Sequence, residues 1–321
     1  MNKELPFLIN KYFGRNIYLN FTPFGLPAKD SEGNFMWPLQ NKFPVDNKTK
    51  HIIFNDFSIW KDEHTCVELE WYISNIKDIH NYIFYVPHFR ASETYPDLNI
   101  VYYNQQLDLN ACFFNKHKEM FLHYFDNIKR DVNQRLCLMR SAKRDRIVFY
   151  KYLSDMFTPE ELSISLQEKK IMPRYPGIPF DQYWDRWPVD THAINVKNFL
   201  SLIRNYQEAE IHYAVETNYR DYHSFITEKT LQPFLAKQTV IPLTQKNYCK
   251  HLSYYGFNLD YLDKTFDKAE HHERYKLAVE LNKNALDPEP EYNQQLALNL
   301  HDKIISLLDT ELDKLTSNGR L

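Results

Sequence analysis

Glycine is scarce in this chain, with 6 among 321 residues. Neither GxGxxG nor a P-loop occurs, which sets aside Rossmann dehydrogenases and P-loop NTPases. No apolar run approaches ~18 residues, so no membrane span is expected. Met1 to Lys11 mix charge with hydrophobe and lack a signal-peptide pattern, which points to a cytoplasmic location. Cys66, Cys112, Cys137 and Cys249 form no CxxC pair. Scattered in this way they read as small buried hydrophobes in a reducing compartment. Neither sign of charge dominates: 39 Lys and Arg stand against 42 Asp and Glu, interspersed along the chain. A sequence-independent grip on DNA, which needs clustered cations, is disfavoured, although a local basic groove is not excluded. Asp-x-Asp occurs nowhere.

What is present is a large apolar and aromatic complement, with 43% hydrophobic and 16% aromatic residues. Those values suit a packed globular protein with a sizeable core. Asn16–Asn20, His51–Asn55, Tyr82–Val86 and Asn99–Asn104 are short apolar runs bounded by polar residues or proline. They are expected as strands of a parallel sheet buried on both faces. Val67–His80 and Lys116–Asn133 carry helix-spaced hydrophobes, and Thr22–Lys50 reads as a long loop. A second block opens with the strand Arg135–Met139, followed by basic residues and a helix over Asp145–Phe157. Thr158–Leu162 has the Thr and Pro of a helix start. Met172–Thr191 reads as an irregular aromatic loop, in which Tyr183–Trp187 serves as a buried anchor or a stacking surface. Ala193–Glu208 reads as a helix, Ile211–Val215 as a strand, Phe225–Lys237 as mostly helix and Thr239–Leu243 as a strand. The chain is helical from Asp263 onward, broken at Leu286–Glu291. The alternation predicts an α/β fold of two Rossmann-like domains. They are residues 1–134 on the acceptor side and 135–285 on the nucleotide side, with a C-terminal helix over 286–321.

Ile211–Gln245 carries the chemistry. A strand ends at Val215 and is followed by Glu216, Thr217 and Asn218, at the edge where α/β folds bind ligands. Thr227 is placed to cap the next helix, whose free N–H groups and dipole suit a phosphate. Lys229 lies in the first turn, where the dipole disfavours a cation unless an anion binds beside it. Glu228 can accept two hydrogen bonds from a ribose diol.

This order of strand, Glu, polar residue and Asn, then a loop, Ile-Thr-Glu-Lys, a helix and a hydrophobic strand resembles the donor-binding motif of family 10 fucosyltransferases. It is similar also to related viral and bacteriophage glycosyltransferases. The resemblance covers about forty residues, with a weaker extension over Arg135–Arg146. It implies two facing Rossmann-like domains in the GT-B arrangement, with C-terminal helices. By the resemblance Glu228 contacts the ribose, Lys229 the diphosphate, and Glu216 holds the place of the family's acidic residue after the strand. Asn218 and Thr227 belong to the same cofactor-binding set, and Arg140, Lys143, Arg144 or Arg146 could reach the diphosphate. Thr217-Asn218 depart from the family's Asn-Ser, Thr244 from its Gly and Thr230-Leu231 from its Leu-Trp, so the donor is a GDP- or UDP-sugar and not fixed as GDP-fucose.

The function implied is an inverting glycosyltransferase acting on a hydroxyl, with no required metal, in agreement with the missing Asp-x-Asp. The acceptor would be a glycan, a lipid-linked sugar or a protein; modified bases in DNA are the alternative, which would place a viral enzyme in the host cytoplasm. A non-catalytic module that keeps the fold is a further alternative. Candidates for the base are Asp56 and His88, each just past a strand, although a loop cap is the commoner role for such residues. Glu270-His271-His272-Glu273 lacks the spacing of a metal motif and reads as a solvated helix face.

Overall fold

A computed structural model of the protein describes residues 8–12, 17–21, 49–54, 65–126, 130–139, 144–165, 203, 205–216 and 225–320. The described chain forms two compact units, each with its own sheet. The first comprises Met1–Asn115, Asp221–Phe225 and Asn299–Leu321; the second comprises Lys116–Arg220 and Ile226–Leu298. This division differs from boundaries at 134/135 and 285/286. The last helix belongs with the first sheet, and the turn after Asn115 opens the second unit.

The first sheet has the order β1 (Leu8–Tyr12), β2 (Ile17–Phe21), β3 (Lys50–Phe54), β4 (Tyr82–Val86) and β5 (Asn99–Tyr102). β1 pairs antiparallel with β2, and the remaining pairs are parallel. Ile83, Phe84, Tyr85 and Val86 are all fully buried, as an apolar run covered on both faces requires. Successive side chains divide between the two faces. Ile52, Phe54, Phe84 and Val86 join Leu69 and Tyr72 of helix α1 (Val67–Asn75) in one core cluster. On alternate positions His51 Nδ1 lies 3.0 Å from the Tyr85 hydroxyl.

After β4 comes a short helix α2 (Ala91–Thr94), and after β5 comes α3 (Gln105–Lys116), which the strand-centred reading left unassigned. Asn104 caps α3, its side-chain oxygen accepting the Leu107 N–H at 2.8 Å. The helix expected over Lys116–Asn133 is α4, Lys118–Phe125, and stops well short because strand β6 already starts at Asp131.

The second sheet has the order β7-β6-β8-β9 and is wholly parallel. Its strands are β6 (Asp131–Leu138), β7 (Leu162–Ser165), β8 (Ala209–Val215) and β9 (Thr239–Leu243). Helix α5 (Arg144–Met156) joins β6 to β7. Thr158–Leu162 is not a helix start. Glu161 accepts the Thr158 N–H at 2.9 Å, as a helix-capping carboxylate would, but Leu162 and Ile164 are buried at a spacing of two. That period belongs to a strand, and the chain enters β7.

β9 is an edge strand, where Pro242 costs no ladder bond. Its exposed edge is covered by Tyr261, whose hydroxyl accepts the Val240 N–H at 3.3 Å and donates to the Val240 carbonyl at 3.0 Å. Just before β9, Gln238 donates its amide to the carbonyls of Tyr206 and of Ala209 at the start of β8, leaving its oxygen for His212 Nδ1 at 3.1 Å. Against that oxygen His212 carries a proton on Nδ1, and burial pushes its imidazole down to about 3.

Helices α6 (Glu228–Leu235) and α7 (Tyr248–Tyr254) follow β8 and β9. Then come α8 (His271–Asn282), α9 (Pro290–Leu298) and α10 (Leu300–Ser317). The break at Leu286–Glu291 thus precedes two helices. α9 packs on α6, and α10 returns to β5 of the first sheet. The result is α/β with mostly parallel sheets and C-terminal helices, the expected class. Among the described residues, no helix is long and apolar enough to cross a membrane. The expected features over Thr22–Lys48 and Met172–Thr191 lie outside the described residues, as does most of Ala193–Glu208.

Candidate functional site

In the second sheet the chain moves from β6 outward to β7, then returns to the other side of β6 for β8 and β9. The strand order therefore reverses between β6 and β8, and open α/β sheets bind ligands outside the carboxyl ends of strands at such a point. The first sheet has no equivalent, because its described strands follow one another in chain order. The two strands at the reversal end at Leu138 and Val215, immediately before the basic stretch 140–146 and before Glu216. Sequence order alone marked both places; the topology makes them neighbours.

Glu216 is buried, with 2% of its surface exposed. Its Oε1 accepts the Thr227 N–H at 2.9 Å, the Thr230 hydroxyl at 2.8 Å and the Tyr248 hydroxyl at 3.1 Å. Its Oε2 accepts the Thr227 hydroxyl at 2.6 Å. A carboxylate offers about four acceptor sites. Three of these contacts fall on Oε1 and one on Oε2, and within the protein Glu216 is a brace. It ties the end of β8 to the start of α6 and to α7. Burial pushes its carboxyl above the usual range, against the neighbouring Lys229 and the hydrogen bonds of Thr227.

Thr227 is the N-cap of α6, as its position predicted. Its backbone is extended and its hydroxyl oxygen accepts the Lys229 N–H at 3.3 Å. Glu228 and Lys229 open the helix and pair with each other at 2.8 Å, each with a little over one-fifth of its side chain exposed. Burial works against the charge of Glu228, but the Lys229 ammonium holds its carboxyl below the ordinary value. One residue past β9, Thr244 donates its hydroxyl to the Gln245 side-chain oxygen, and the buried Gln245 Nε2 has no partner among the described residues. Gln245 was not singled out from the sequence; an amide two residues past a strand end was the available signal.

Arg144 begins α5, and Arg146, in the same first turn, is buried with its charge acting on the Cys137 thiol of β6. Asp56, Arg140, Lys143 and Asn218 lie outside the described residues. His88, in the first unit, follows β4 and is buried. Its Nδ1 accepts the Arg90 N–H at 3.3 Å, which closes the turn into α2. In the neutral ring that fixes the proton on Nε2 and engages the one lone pair able to take another. Of the expected cofactor-binding set, the structure brings together Glu216, Thr227, Glu228 and Lys229.

No family profile and no curated protein sequence matches the chain. Solved structures of the wall teichoic acid polymerase TagF are similar to it. One, a variant soaked with CDPG, has 13% identity over 85% of this chain and 67% of that chain, at a TM-score of 0.27. A second has 12% identity over 86% and 68%, also at 0.27. At that likeness TagF says nothing of this chain's fold or activity.

Proposed function

We propose that the protein is a GT-B-type glycosyltransferase that moves a sugar from a nucleoside-diphosphate sugar to a hydroxyl group. The observation supporting this most strongly is the braced start of α6 at the carboxyl edge of the second sheet. It holds a cation and a carboxylate in one turn, at the positive end of the helix dipole. When the bond between sugar and diphosphate breaks, negative charge develops on the leaving oxygen. Lys229 and the positive end of the α6 dipole meet that charge. Glu228 accepts from the ribose hydroxyls, and Gln245 Nε2 is a further donor at the same edge.

Without ligand, Lys229 and Glu228 neutralise each other. Donor binding exchanges that partly exposed pair, worth ~0–1 kcal/mol, for diphosphate and ribose partners. Glu216 does not touch the donor in this scheme; it is a positioning residue for Thr227. Arg140 and Arg144 are proposed as additional diphosphate contacts, and Asn218 as a contact of the loop. Inversion at the sugar needs a base for the acceptor proton. Asp56 is proposed for it, with His88 as the other candidate provided that it releases the Arg90 N–H.

The experiment is a thermal-shift panel of GDP, UDP, ADP and CDP, followed by hydrolysis of the sugar conjugates of whichever binds. One diphosphate should stabilise the protein by about 2.7 kcal/mol at a hundred times its Kd. If none stabilises the folded chain and no conjugate is hydrolysed, the reading is wrong.

A further inference from the structure

Within the first unit, three potential metal ligands converge from two helices distant in sequence. Asp108 and Cys112 stand one turn apart on α3, and His301 lies in the first turn of α10. Asp108 is fully buried. His301 Nδ1 lies 3.0 Å from Asp108 Oδ1 and 3.3 Å from Cys112 Sγ, and Sγ lies 3.9 Å from that same Oδ1. We infer that Asp108, Cys112 and His301 form a zinc-class metal site that staples α10 to α3.

The distances carry the inference. Zinc binds sulfur at about 2.3 Å, and nitrogen or oxygen at about 2.0–2.2 Å, so adjacent ligands of a tetrahedron stand roughly 3.3–3.6 Å apart. The three observed separations bracket that range. A thiolate, an imidazole and a carboxylate together suit a borderline-soft divalent ion better than Mg²⁺ or Ca²⁺. Three protein ligands leave a fourth position for water. The other reading, a nucleophile with its base and orienter, needs the two partners on different nitrogens of the imidazole. Here Sγ and Oδ1 both approach Nδ1.

The surroundings fit a metal as well. The Tyr103 hydroxyl donates to Asp108 Oδ2 at 2.8 Å. That occupies one carboxylate oxygen and leaves Oδ1 toward Cys112 and His301, the arrangement by which outer partners aim metal-bound carboxylates. Tyr103 is itself buried and packs edge-on against Tyr85. Among the described residues, Tyr103, Cys112 and His301 are the only side chains bonded to the Asp108 carboxylate. His301, at 3.0 Å, is the one cationic partner among them, and then only when its imidazole is protonated; a bound divalent ion would supply that charge with the imidazole neutral.

The test uses the untagged full chain, reduced, dialysed against a chelator and titrated with Co²⁺, then Zn²⁺. One equivalent of Co²⁺ should bind with a near-ultraviolet thiolate charge-transfer band, and Zn²⁺ should displace it and raise the melting temperature. Cys112→Ser should abolish the band. His301→Asn, at a partly exposed position, should weaken Co²⁺ binding at least as much as loss of an outer partner does. Tyr103→Phe removes such a partner and should weaken it about 10–100-fold. Circular dichroism of each variant checks that it folds; if Asp108→Asn does not, the remaining three decide the question. Absence of saturable one-to-one binding overturns the proposal. So does a charge-transfer band that persists unchanged in Cys112→Ser or His301→Asn.

Discussion

The hydroxyl of Thr227 donates to Glu216 at 2.6 Å and its backbone N–H donates to the same carboxylate at 2.9 Å. Two groups of one residue thus hold both oxygens of the other, and the N-cap of α6 is fixed by the end of β8. Replacing Glu216 with Gln puts an amide donor where Thr227 already donates. The expected cost is about 1–3 kcal/mol, read from urea melts at pH 7, with more for Glu216→Ala. Nucleotide affinity should fall with it, because Thr227 and the α6 start lose their anchor. Weaker binding with unchanged stability would mean that Glu216 touches the ligand directly.

Lys229 and Glu228 should separate stability from binding. Their pair is partly exposed, so Lys229→Ala should leave the stability within ~1 kcal/mol of the parent. Diphosphate affinity should fall roughly 10–100-fold, from loss of a charge-assisted bond worth about 1.5–3 kcal/mol. Titration calorimetry with a nucleoside and its diphosphate distinguishes the roles. Lys229→Ala should affect only the diphosphate, and Glu228→Gln should weaken both. Equal losses in the two variants would contradict separate phosphate and ribose contacts.

Gln245 presents a buried amide donor without a partner among the described residues. If the donor sugar-nucleotide accepts that bond, Gln245→Ala should lower its affinity while raising stability or leaving it unchanged, since an orphaned buried polar group is removed. A stability loss with no change in binding would make Gln245 a packing residue.

Acid should unfold the protein partly through His212. Its imidazole is held down to about 3 by burial, with the Gln238 bond opposing, against an ordinary value of 6.5. Below pH ~6.5 the unfolded chain takes up a proton that the folded chain refuses. The stabilising contribution is complete above that pH and is lost as pH falls toward 3. The slope is about 1.4 kcal/mol per pH unit. His212→Gln should show a stability profile flatter by about that amount between pH 6 and pH 4, measured by denaturant titration. An unchanged slope would show that His212 is protonated in the fold.

The strands most legible in the sequence are the fully apolar runs. Tyr82–Val86 and Thr239–Leu243 appear with their expected ends, because polar residues or proline bound an unbroken hydrophobic stretch. β1 was invisible: Leu8–Tyr12 carries Asn and Lys at its centre, which an antiparallel edge tolerates. β7 was hidden behind Thr158-Pro159-Glu160-Glu161, whose local bond imitates a helix cap before the period of two takes over. At the site, the Thr227 cap depends on a partner two residues away and could be read locally. The position of Glu216 was also legible, but its role was not, because Thr230 and Tyr248 reach it from 14 and 32 residues on. Cys112 looked like a small buried hydrophobe because His301 is 189 residues away.

The first unit is completed by the far end of the chain. α10 lies against β5, and Arg320 Nη1 donates to the Leu98 carbonyl at 3.4 Å, while the Asn99 amide donates to the Arg320 carbonyl. A chain emerging from a ribosome ordinarily folds its amino-terminal domain first. Here the second unit ends at Leu298, so it has all its residues while the first sheet still lacks its closing helix. The order of synthesis and the order of completion are therefore reversed, and during that interval the face of β5 that α10 covers must wait for the residues after Leu298 to be made.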